Sequence, residues 1–181
     1  AYLPALEGAA QIEYRQGSDG AKQLILRILA RHPADPTSHA MLAVIDYKAK
    51  NCAEAIPHFQ QAKALLEAQP QLLTEYASCL ATLGRYEEVI PILQQALKID
   101  PKRQGTRYNL ALAQWNANRT QDALATLQPL IDTNPDDEDV LTLAADIYES
   151  NNVTPQAVEL LRQTILANPK KVGAYLQFST L

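Results

Sequence analysis

The chain has 181 residues, with 16 lysines and arginines against 20 aspartates and glutamates and a net charge of −4. That balance marks no nucleic-acid or anionic-membrane surface, and no run approaches the roughly 18 apolar residues that a membrane span needs. Alanine, leucine and glutamine abound while strand-like runs are absent, so an all-α fold is predicted.

In chain order, apolar residues at three- and four-residue steps predict a first helical hairpin, Tyr2 to Tyr14 and Gly20 to Arg31, around Gln16-Gly17-Ser18-Asp19. Ser38 to Lys50 and Ala53 to Glu67 give a second. Between Pro70 and Arg103 a third hairpin turns at Gly84, whose freedom at positive φ suits a helix exit, and Pro101 stops its second helix. Pro57 and Pro91 fall about one turn from their helix starts and are tolerable there. Pro155 is at a first turn, a favoured place. Pro129 falls well inside the second helix of the fourth hairpin, where proline costs roughly 3 kcal/mol, so a bend or local break is predicted. The acidic run Asp136-Asp137-Glu138-Asp139 reads as a solvated helix start, where carboxylates favour the positive end of the dipole, and not as a cation site.

The hairpins repeat with a period of 34 residues, at 2–35, 36–69, 70–103, 104–137 and 138–171, with a partial copy at 172–181. A small residue falls at Ala9, Ala43, Ala77, Ala111, Ala145 and Ser179. A second small or β-branched column holds Ala21, Ala55, Val89, Ala123 and Ala157, and four places later comes Ile25, Phe59, Leu93, Leu127 and Leu161. The closing proline is Pro33, Pro101, Pro135 and Pro169; the second copy has Glu67 there and delays its proline to Pro70. Each copy needs its neighbours to bury both faces.

This order of small, small, large and proline columns resembles the tetratricopeptide repeat family over the whole chain. Departures are Gly8 and Ala144 before the small residue, and Lys50-Asn51, Asn118 and Asn152 in place of the turn glycine, asparagine being tolerant of the left-handed conformation. The resemblance implies one right-handed superhelical solenoid of antiparallel helix pairs over 1–181, with first helices lining a concave groove. Since the chain starts on alanine and stops inside a hairpin, it is expected to be an excerpt of a longer protein. The apolar residues Tyr175, Leu176, Phe178 and Leu181 of the partial copy are expected to support weak self-association.

No motif carries catalytic chemistry. His32, His39 and His58 lack ligand spacing and are assigned packing or surface roles. Cys52 and Cys79 form no CxxC motif; they fall where they could be near neighbours, and are read as free, semi-buried thiols with a disulfide as the alternative. The sequons at Asn118 and Asn152 lie at turns where asparagine serves the backbone. No glycine-rich phosphate loop, metal site or cofactor is expected, and a cytoplasmic setting is the default.

What remains is the groove that the resemblance implies. The best-known groove of the family clamps a C-terminal carboxylate with lysine, arginine and asparagine, but the matching places here are Ala40, Val44, Glu75, Gly105 and Asn109, and only the asparagine fits. Tyr108, Leu112 and Trp115, at i, i+4 and i+7, instead form an apolar stripe, with Val44 and Tyr47 contributing two repeats earlier. Asn116 belongs to the same implied lining, and Asp146 and Glu149 add a preference for a basic residue. These aromatics either anchor a ligand or pack against the adjoining helix. The reading is a non-enzymatic scaffold binding a peptide or helix of a partner protein. Its alternatives are a recruiting arm of an enzyme whose catalytic domain lies elsewhere, a homo-oligomerisation module, or a spacer.

Overall fold

The structure, a computed structural model, describes residues 2–18, 20–134, 137–151 and 154–167. Among these every regular element is an α-helix. Two compact units emerge, 1–100 and 101–181.

The first unit holds three hairpins. They are α1 (Leu3–Gln16) with α2 (Gly20–Leu29), α3 (Pro36–Lys48) with α4 (Cys52–Gln61) and the short α5 (Lys63–Leu66), and α6 (Pro70–Thr82) with α7 (Tyr86–Ile99). The second unit holds two, α8 (Gln104–Asn116) with α9 (Thr120–Thr133), and α10 (Glu138–Ser150) with α11 (Thr154–Ala167).

One terminal device closes the first helix of four hairpins. At the third, Gly84 N–H donates to Ala81 O and Arg85 N–H to Leu80 O, at 3.0 and 2.9 Å, the paired bonds of a Schellman cap. Tyr47 and Asp46 accept the same pair from Lys50 and Asn51, and Trp115 and Gln114 accept it from Asn118 and Arg119. The pivot is left-handed each time, with φ of 61° at Lys50, 70° at Gly84 and 59° at Asn118. In the second hairpin the pivot is therefore Lys50, while Asn51 has φ −90° and precedes α4. Gly17 pivots one residue later than the column, so α1 has 14 residues where α3, α6, α8 and α10 have 13. Helix starts are set by Asp35 and Asp137, whose carboxylates accept from Ser38 N and Val140 N, and by Pro36 and Pro70 in first turns.

The repeat columns are the core. Ala43, Ala77, Ala111 and Ala145 are buried on the first helices; Ala21, Ala55, Val89 and Ala123, then Ile25, Phe59, Leu93 and Leu127, are buried on the second. The small side chains let neighbouring helices approach while the large ones fill the space between them. Ala9 departs: it is half-buried, and Ala10 beside it is the buried residue of α1. The side chains of Ala157 and Leu161, and everything from 168 to 181 including Ser179, lie outside the described residues.

Three expectations need correction. Helix α9 runs unbroken through Pro129, so the local break expected there does not occur. The ring is exposed, so the carbonyl deprived of a partner belongs to exposed Ala125, and Thr133 Oγ1 donates to the Pro129 carbonyl at 2.7 Å. The second helix of the second hairpin, expected as one piece, divides instead at Ala62 (φ −85°, ψ 9°), in the copy whose closing proline is displaced. Last, the thiols are not free: Cys52 and Cys79 are joined in a disulfide, with Cα atoms 4.8 Å apart. Helix α4 packs directly on α6, so the two half-cystines meet where the second and third hairpins stack. Across the same pair of helices Phe59 and Tyr76 stack at 5.3 Å between ring centroids.

Candidate binding surface

In the second unit Tyr108, Leu112 and Trp115 lie along α8 and are all half-buried. Their inner edges rest on a cluster that includes Ala111, Leu127, Val140, Leu143 and Ile147. Trp115 Nε1–H donates to Ser150 Oγ at 3.2 Å, and Ser150 Oγ donates to the Ile147 carbonyl at 2.8 Å, so the indole is tied to the C-terminal turn of α10. Asn116 is exposed and its side-chain amide donates to Leu112 O at 2.8 Å. Helix α10 packs beside α8 and brings Asp146 and Glu149, both half-buried, to the same unit.

Electrostatics link the two helices. The Tyr108 phenol is held above its usual pKa, first by burial and then by the carboxylates of Asp139, Asp146 and Asp137. Three acidic groups therefore act on the ring that opens the apolar stripe. A cation brought to this place would meet carboxylates and aromatic faces together.

In the first unit Val44 is 6% exposed and belongs to the core, leaving little surface for a ligand. Tyr47 is half-buried on α3, and Tyr14 on α1 has its phenol pushed up by burial and by Glu75 on α6.

Sequence reasoning missed a polar cluster around α3. Lys22 on α2 and Asp46 on α3 form an ion pair at 2.5 Å, with the Asp46 side chain 2% exposed. His39 and His58 face each other at 2.9 Å between Nδ1 atoms. Each of these residue types occurs once in its column, so no repetition flagged it. The signal available was register: the hairpin places α3 and α4 side by side. Among the described residues no group of three or more histidine, cysteine, aspartate or glutamate side chains could hold a metal ion, and no helix is long and apolar enough to cross a membrane.

The sequence profile of the tetratricopeptide repeat matches residues 80–147 and 116–179, together more than half of the chain. The chain belongs to the tetratricopeptide repeat family. Among solved structures it is similar to YrrB, described as a tetratricopeptide-repeat protein with an unusual peptide-binding site. The two share 17% identity, over 99% of this chain and 89% of that one, with a TM-score of 0.79. A MamA structure from Desulfovibrio magneticus RS-1 shares 14% identity over 94% of this chain and 97% of its own, at a TM-score of 0.74. TTC0263, a thermophilic tetratricopeptide-repeat protein of Thermus thermophilus, shares 16% over 99% and 98%, at 0.62. At these identities the likeness establishes the fold alone. No curated protein matches the chain by sequence.

Proposed function

We propose that this chain is a non-catalytic scaffold that binds a peptide or helix of a partner protein on the first-helix face of its second unit. Tyr108, Leu112 and Trp115 are the apolar anchors, Asn116 supplies a polar contact, and Asp146 and Glu149 select a segment carrying a basic residue. The observation that carries this reading is the half-exposed aromatic stripe of α8 set among carboxylates that act on Tyr108. Aromatic anchors are the commonest source of binding energy at such surfaces, and an apolar groove with spaced anchors suits a helical ligand. That YrrB is described as having a peptide-binding site supports the same reading. Tyr47 offers a comparable ring on the first unit, whereas buried Val44 serves packing. Disulfides persist in oxidising compartments, so the Cys52–Cys79 link supports such a setting over the cytoplasmic default. Expected self-association through 172–181 falls on residues outside those described.

The test is a peptide-display selection on the purified chain with its disulfide intact. Enriched peptides are expected to pair a bulky apolar residue with lysine or arginine, and to lose affinity on Trp115→Ala. Enrichment of acidic or wholly polar sequences would refute the assignment.

A further inference from the structure

The polar cluster of the second hairpin is not used by the binding surface. His39, near the start of α3, is 8% exposed. Its Nε2 lies 2.8 Å from the Pro33 carbonyl oxygen, in the turn that follows α2. Its Nδ1 lies 2.9 Å from Nδ1 of half-buried His58 on α4.

These two contacts fix the protons. A carbonyl oxygen only accepts, so His39 Nε2 must carry a hydrogen and donate it to Pro33. A neutral imidazole carries one N–H and one acceptor nitrogen, so His39 Nδ1 is the acceptor and His58 Nδ1–H is the donor. The pair is thereby complete with both rings neutral. A proton added at His58 Nε2 leaves its Nδ1–H donating to His39, but a second proton on the pair, at His39 Nδ1, would set two N–H groups against each other. The first proton would itself place a cation against a buried neighbour whose ring centroid is 5.1 Å away.

The surrounding charges do not rescue the charged form. Asp46 on α3 and Glu54 on α4 favour a charged His58, Lys22 on α2 opposes it, and Lys22 already pairs with Asp46. The Asp35 carboxylate, in the turn before α3, accepts from Ser38 N. His32 in that turn is exposed. Burial first, then His39, holds the His58 pKa below the ordinary histidine value.

We propose that the His39–His58 pair is a proton-sensitive latch that closes the second hairpin onto the turn after α2 at neutral pH and opens on acidification. The sign follows from the single hydrogen that the Nδ1–Nδ1 contact can hold, and the lowered His58 pKa acts in the same direction. Above about pH 6.5, the unperturbed histidine value, neither folded nor unfolded chain carries this charge and the latch is whole. Below it the unfolded chain takes up a proton that the folded chain resists, so stability falls as pH falls. Once the pair holds a second added proton, two N–H groups face each other across 2.9 Å and the α3–α4 hydrogen bond is lost, with half-exposed His58 the ring able to turn to water.

Two measurements on the full chain, with its disulfide intact, test this. Long-range nitrogen–proton spectra at pH 7.5 are expected to show His39 protonated at Nε2 and His58 at Nδ1; His39 protonated at Nδ1 would overturn the latch. Melting temperature is then followed from pH 8 to pH 5 for the wild type and for His58→Gln, whose side-chain amide can still donate to His39 but does not titrate. The wild type is expected to fall by several degrees more than the variant; equal falls would overturn the proposal. A chelator and added zinc are expected to leave the neutral-pH melt unchanged. A zinc-dependent rise abolished by His58→Gln would overturn it in favour of a metal-ligand pair.

Discussion

Residues 1–100 and 101–181 are built on the same repeat, with the same caps and the same small and large columns, yet they use their odd residues differently. The first unit turns them inward. A disulfide joins its second and third hairpins, and an ion pair joins its first and second. A histidine pair then holds the second hairpin to the turn before it. The second unit contains neither of the two cysteines and sets its tryptophan and a tyrosine half-exposed, the tyrosine under the influence of three carboxylates. Its buried Thr106 Oγ1 has no hydrogen-bond partner among the described residues. One scaffold thus supports two specialisations, covalent and polar cross-linking in one unit and an open apolar face in the other. Because each repeat is stabilised by its neighbours, such differences can persist without disturbing the fold.

The most forceful way to break the comparison is to remove the cross-link. Reduction, or Cys52→Ser with Cys79→Ser, is expected to cost about 3.5 kcal/mol, the chain-entropy value for a loop closed by residues 27 apart. Amide exchange should show the loss in α3 to α7 while α8 to α10 keep their protection. Equal loss in both units would mean that they unfold as one and that the disulfide is not a local device.

A smaller change should come from the second unit. Thr106 is 2% exposed, and its hydroxyl has lost water without a partner among the described residues. Thr106→Val, which keeps the shape, is expected to stabilise by about 1 kcal/mol in urea denaturation. A loss of stability would show that the hydroxyl is bonded.

The smallest effect concerns the caps. Lys50 holds the left-handed conformation that Gly84 adopts in the matching place, at a cost for a side-chain-bearing residue of roughly 1 kcal/mol. Lys50→Gly should recover part of that, seen as a small rise in denaturation midpoint. Gly84→Ala should lose a similar amount, since φ and not crowding is the obstacle: nothing lies within 4 Å of the added Cβ.

What could be read from sequence follows from what repeats. The period, the buried columns and three left-handed pivots recur, and recurrence is visible without coordinates. What occurs once is not. Cys52 and Cys79 fall in different columns of adjacent repeats, and only the stacking of α4 on α6 brings them within bonding reach. His39 and His58 show no ligand spacing, yet the hairpin closes them to hydrogen-bond distance. Val44 occupies a column that lines the groove in the family but is buried here, because exposure is a property of neighbours and not of register. Pro129 looked disruptive because propensity counts the lost bond and not the solvent that replaces it. For the candidate binding surface, the i, i+4, i+7 spacing places Tyr108, Leu112 and Trp115 on one face; their half-exposure and the carboxylates acting on Tyr108 needed the structure.

The central claim is that the α8 stripe anchors a partner, and Trp115→Ala tests it most directly through paired readings of affinity and stability. With a basic, apolar peptide from the display selection, the substitution is expected to weaken binding by about 2 kcal/mol or more. The melt should move little, because a half-exposed indole with one hydrogen bond to Ser150 leaves no closed cavity. Unchanged binding together with a stability loss of about 3–5 kcal/mol, the range for emptying a packed aromatic site, would contradict the account and make Trp115 a core residue.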